Sequence, residues 1–314
     1  MMYVILIIGF LLLVAGADLL VGGSIIFAKR TGISNFYVGM TITAIGTSVP
    51  IFTAAVFGGL KGVNQILVND IAGANIFNLL VVLGICAMLI SVRIERKMIE
   101  REFPFVIFVE ILLLYMSADY LLHGKHANSI ISRIDSVILL LLFCFFAGCT
   151  VRNIITEIHK KKAVAEVRFW KSLICIFLGI AIIKIGSDMV ISCSSEICKL
   201  LGKNQKAISF LVRTASFNLP CFMACIAAIR RNQKAIILGN VTGSNIINVL
   251  FALGISCLIN PVSLMRSYIY SLIVLCLVSI LVWAFSYRGG RLNRRHGCAM
   301  VTLYVAYMIF QFNR

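Results

Sequence analysis

Two short stretches carry polar residues at helical spacing inside otherwise apolar sequence. Asp70, Ala74 and Asn78 follow one another every fourth residue, and so do Asn240, Ser244 and Asn248. A spacing of four sets each trio on one face of a helix. Uncharged oxygens of amides and hydroxyls on such a face suit a hard cation stripped of its water, sodium or calcium. The same residue types also hold membrane helices together, and Gly73 and Gly243 fit that plainer role. Acids and bases inside apolar runs are functional candidates too: Asp18 and Asp188, which could instead only tie helix ends together, and Arg213, whereas Lys184 reads as a snorkelling or paired residue. Arg213 could pair with Asp70 or Asp188, or could reach out to the membrane surface. Cys221 and Cys225 share a helix face, and their thiols would prefer a softer metal. Enzyme chemistry finds no footing: HExxH, GxSxG and GxxxxGK[ST] patterns are missing. His123, His126, His159 and His296 map to loops or span ends.

The elements that must position these residues follow from composition. The 314 residues are 61% apolar and 13% charged, with a mean hydropathy of +1.01. A soluble domain is excluded, because such domains carry about 25% charged residues. Long unbroken apolar runs speak for helices rather than a barrel. Ten runs are long enough to cross a bilayer (about 20 residues): roughly 3–27, 35–58, 65–90, 103–122, 131–151, 169–197, 206–229, 235–259, 264–286 and 298–312. The first reads as a retained span rather than a cleaved signal. The net charge of +17 lies in the short loops, with 19 Lys and Arg on one side and 8 on the other. That is an orientation signal, not a nucleic-acid footprint. It places the basic loops in the cytoplasm and both termini outside.

Shifting the chain by 170 residues aligns 16–86 with 186–256 without a gap, and 17 of the 71 positions are identical. The informative matches include Gly16/Gly186, Asp18/Asp188, Pro50/Pro220, Gly73/Gly243, Asn75/Asn245, Asn78/Asn248 and Gly84/Gly254. Five spans precede the second copy, so the copies enter the membrane from opposite sides. The fold class is therefore all-α: about ten transmembrane helices in two inverted-topology five-helix repeats, 1–151 and 169–314, joined by a basic cytoplasmic connector at 152–168 that could touch anionic lipid. Binding sites in such architectures lie near the midplane, where the repeats meet. Pro50 and Pro220 fall mid-span and free backbone carbonyls there, which predicts a break in each helix.

The stretches VGMTITAIGTSVP (38–50), DIAGANIFN (70–78) and LGNVTGSNIIN (238–248) resemble the calcium/cation antiporter superfamily, the sodium/calcium exchangers and their prokaryotic relatives. GADLLVGGS (16–24) and GSDMVISCS (186–194) look like that family's first-helix motif. The resemblance implies a secondary antiporter of the cytoplasmic membrane that moves sodium and calcium by alternating access, with inorganic cations and the bilayer as partners and no cofactor. It also implies an ion cluster of Ala44, Thr47 and Ser48 with Ala74 and Asn78 in one repeat. The counterparts are Thr214, Phe217 and Asn218 with Ser244 and Asn248 in the other, and Asp70 is the nearest carboxylate. The family's paired glutamates would stand at 51 and 221, where this chain has Ile51 and Cys221. Without them calcium is disfavoured, because ligand charge largely sets calcium affinity. A monovalent cation, or a relative that keeps the fold without transporting, are the alternatives.

Overall fold

A computed structural model describes residues 2–117, 130–158, 169–200 and 205–312. Among these residues the chain forms ten helices. They are α1 (Met2–Thr31), α2 (Asn35–Leu60), α3 (Leu67–Leu89), α4 (Phe103–Met116), α5 (Arg133–Ile158), α6 (Phe169–Leu200), α7 (Gln205–Arg230), α8 (Lys234–Ile259), α9 (Arg266–Gly289) and α10 (Arg294–Phe312). Eight are long and apolar enough to cross a membrane. The other two are α4, described over 14 residues, and α10, which opens on Arg294, Arg295 and His296. The expected end of the fourth span near 122 and most of the 152–168 connector lie outside the described residues. The outer faces carry exposed Leu11, Phe57, Leu141, Trp170, Phe177 and Leu277. Such broad apolar exposure would drive association in water and suits a lipid surface. The protein is a multi-pass integral membrane protein.

The contacts repeat under the 170-residue shift. In α1 and α6, Gly9 lies against the Gly186 carbonyl and Gly16 against that of Gly179. Numbering rises along one helix as it falls along the other, so these equivalent helices are antiparallel, as an inverted repeat requires. A methyl group at any of the four glycines would press on the opposite backbone at about 3 Å, and their absence lets the two helices pack along their whole length. Short strand pairs follow the same rule. β1 (Val92–Arg93) pairs with β4 (Arg291–Leu292), while β3 (Val262–Ser263), 170 residues after β1, pairs with β2 (Ile130–Ile131). Gly84 of α3 packs on α10, and its counterpart Gly254 of α8 packs on α5. Helices α3 and α8 are the most enclosed of the set.

The expected breaks at Pro50 and Pro220 do not occur; both helices run on through the prolines. A missing N–H removes one ladder bond, to the carbonyls of Gly46 and Ser216, without unwinding a helix packed on several sides. The backbone departs from α geometry elsewhere, in π-helical turns at Gly39–Thr43, at Met98–Glu102 leading into α4, and at Asn78–Val82 and Ile247–Leu253. The last two are repeat equivalents, and each contains or abuts one of the asparagines Asn78 and Asn248. π turns of this kind recur at functional sites.

Candidate ion-binding site

The site forms where α2 and α7 pack against α3 and α8. The α2–α8 contact is backbone to backbone. A methyl on Gly239 would collide with the Phe36 carbonyl, and one on Gly243 with that of Met40. This closeness brings Thr47 of α2 to Asn240 and Ser244 of α8. Its hydroxyl donates to Asn240 Oδ1 at 2.9 Å and lies 3.2 Å from Ser244 Oγ. The amide of Asn240 in turn donates to Cys221 Sγ at 3.2 Å.

Between α3 and α8 the asparagines form a reciprocal network. Asn75 and Asn245 each donate to the other's backbone carbonyl, at 3.1 and 3.4 Å. Asn78 then donates to Asn245 Oδ1, and Asn248 to Asn75 Oδ1, both at 3.0 Å. With both amide nitrogens held, Asn78 Oδ1 and Asn248 Oδ1 are buried without a hydrogen-bond partner among the described residues, and so are Ser48 Oγ of α2 and Thr214 Oγ1 of α7. Turning either amide over would set oxygen against oxygen. Four unpartnered buried oxygens, two from each repeat, are a costly arrangement in a folded protein. All four belong to residues that the sequence marks for the ion cluster.

The remaining candidates are used differently. Thr47 bonds to both Asn240 and Ser244. Asn218 donates to the Thr214 carbonyl one turn earlier at 2.7 Å. Ala44 and Ala74 are fully buried and bring no side-chain oxygen. Asp70 is engaged by Arg213, whose Nη2 lies 2.8 and 2.6 Å from the two carboxylate oxygens. Of the partners open to Arg213, the structure selects Asp70; Asp188 pairs with Lys184 one turn away on α6. Asp18 meets Arg231 at 2.6 Å, tying α1 to the end of α7. Ile51 is buried among apolar neighbours, and Cys221 is buried with its sulfur accepting from Asn240. The Cys225 thiol is within hydrogen-bonding reach of Cys221 and Cys86, yet among the described residues no group of three or more His, Cys, Asp or Glu side chains is arranged to hold a metal ion.

The sequence assigned no role to Asn75 and Asn245, although their recurrence 170 residues apart was the available signal. Glu110, an acid inside an apolar run, also passed unmarked; it is buried in α4.

Residues 1–151 and 171–313 match the family described as sodium/calcium exchanger protein. The chain belongs to the sodium/calcium exchanger family. It is similar to the sodium/calcium exchanger MaX1 of Methanosarcina acetivorans, 25% identical with 99% of this chain and 98% of the relative covered. The inner membrane protein YrbG of Escherichia coli K12 is 28% identical, with 91% and 90% covered. Among solved structures, the sodium-calcium exchanger NCX_Mj soaked with sodium and strontium superposes with a TM-score of 0.80 at 26% identity, over 98% of this chain and 99% of that one. Within this family the chain has the exchanger fold.

Proposed function

We propose that this family member is a secondary cation antiporter of the cytoplasmic membrane, working by alternating access, and that its cargo is a monovalent cation, sodium first. The observation that carries this reading is the set of four buried, unpartnered oxygens of Ser48, Asn78, Thr214 and Asn248. A cation between them would satisfy all four. The set is neutral, and Asp70 is neutralised by Arg213. Charge squared governs the cost of moving an ion into a low-dielectric site, so a divalent ion costs about four times as much as a monovalent one of the same size. Sodium therefore suits a neutral cage, whereas calcium sites draw on carboxylates. Relatives named as sodium/calcium exchangers support the antiport mechanism.

A second reading is favoured by the Arg213–Asp70 pair, which links α7 to α3 with a fixed cation where a mobile one would pass. On that reading the chain keeps the exchanger scaffold without transporting. Flux in proteoliposomes under an imposed sodium gradient decides between the two. Sodium-dependent exchange against protons or potassium, with little calcium uptake, is the expected result. A silent wild type beside an active Ile51→Glu/Cys221→Glu double variant would mean an intact scaffold that has lost its ion site.

A further inference from the structure

Glu110 lies on α4 and is not one of the four residues of the oxygen set. It is 1% exposed, and both of its carboxyl oxygens are buried without a hydrogen-bond partner among the described residues. The groups set against it come from α9: the Ser279 hydroxyl, itself buried and unpartnered, and the Cys276 thiol. Helix α8 also packs on α4, and its sequence has no ionisable side chain between Lys234 and Cys257. On α4 itself the only other titratable residue is Tyr115. No described cation therefore faces Glu110.

An ionised carboxylate with neither solvent nor counter-charge is strongly disfavoured in such surroundings. A hard metal ion would call for five or six oxygens, and the pocket offers two carboxyl oxygens and one hydroxyl beside a soft thiol. The ligand that such a set can hold is a proton. We propose that Glu110 and Ser279 form a proton-binding site in the membrane interior, distinct from the cation cluster, with the carboxyl carrying its proton at neutral pH. The step is a simple protonation, in which one proton from the aqueous phase joins one carboxylate oxygen and no other bond changes.

Infrared spectroscopy of the purified protein in lipid nanodiscs tests this directly, with wild type compared with Glu110→Gln. The wild type should show a protonated-carboxyl C=O band at neutral pH that is missing from the variant and that gives way to the carboxylate bands as pH rises. Ser279→Ala should shift that band, because the hydroxyl is set against the carboxyl. If Glu110→Gln fails to fold, Glu110→Asp serves in its place and should move the band. Spectra that coincide in the carboxylic-acid region at neutral pH would overturn the proposal. So would a band that emerges only when sodium is withdrawn, since a metal ion would then be the occupant. The readout does not involve flux, so it stands or falls separately from the antiporter reading.

Discussion

Ser48, Asn78, Thr214 and Asn248 are the residues on which a cation-binding reading rests, and their energetics make it testable without transport. A buried oxygen lacking a partner weakens the fold by roughly 1–3 kcal/mol. In sodium-free buffer, Ser48→Ala or Thr214→Val should thus leave stability unchanged or raised by about 1 kcal/mol. A bound ion reverses the balance: at about 100 times its Kd it adds roughly 2.7 kcal/mol. Wild type should therefore gain thermal stability on sodium addition, and both variants should lose most of that gain. Melting curves in detergent, with and without sodium, would check this, and equal sodium shifts in all three proteins would sink the site. Arg213 makes a different prediction. Its removal strands the enclosed carboxylate of Asp70, a loss of roughly 3 kcal/mol at the lower end for paired charges because a third of the arginine side chain is exposed. Arg213→Ala should lower the melting temperature clearly, and adding Asp70→Asn should recover part of the loss. An unchanged melting temperature for the single variant would mean the pair contributes nothing.

Among the elements, the α2–α8 and α7–α3 contacts are repeat equivalents with different chemistry. At the first, Thr47 bonds to Asn240 across a contact close enough to exclude a methyl group. At the second, the residue equivalent to Thr47 is Phe217, and Arg213 reaches Asp70, the equivalent of Asn240. One interface is a neutral hydrogen bond that can break and reform cheaply; the other is an ion pair. Rearrangement of the bundle should for that reason be easier at α2–α8. Gly243→Ala would wedge those helices apart, at about 1–3 kcal/mol for overpacking against backbone, and should displace Thr47 from Asn240. The expected outcome is a lowered melting temperature together with a weakened sodium shift. A variant as stable and as sodium-responsive as wild type would show that the close contact is not needed.

For the molecule as a whole, the antiparallel pairing of α1 with α6 and the crossed strand pairs place the two copies in opposite senses, so the loop charges assign a side to every element. Tags appended at either terminus should be reached by antibody from outside intact cells. A tag within 152–168 should react only after the membrane is opened. Surface labelling of the first kind confined to permeabilised cells would reverse the orientation.

The fold class was legible in the sequence because it depends on local quantities. Run length sets the spans, and a gapless 170-residue repeat relates the two halves. The same repeat pointed to Asn78 and Asn248 by position, and the family resemblance to Ser48 and Thr214. Their state could not be read that way, because whether an amide oxygen is free depends on what holds its nitrogen. Asn75 and Asn245, on the facing helices, do so here. Proline positions misled for a related reason: a residue's own backbone preference counts for less than the packing around a helix, which carried α2 and α7 through Pro50 and Pro220. Arg213 could equally have turned to Asp188 or to the surface, and only the approach of α7 to α3 settled on Asp70. Spans and symmetry come from sums over many residues in one chain segment. The site comes from contacts between residues some 140 to 200 positions apart, which exist only once the repeats have packed.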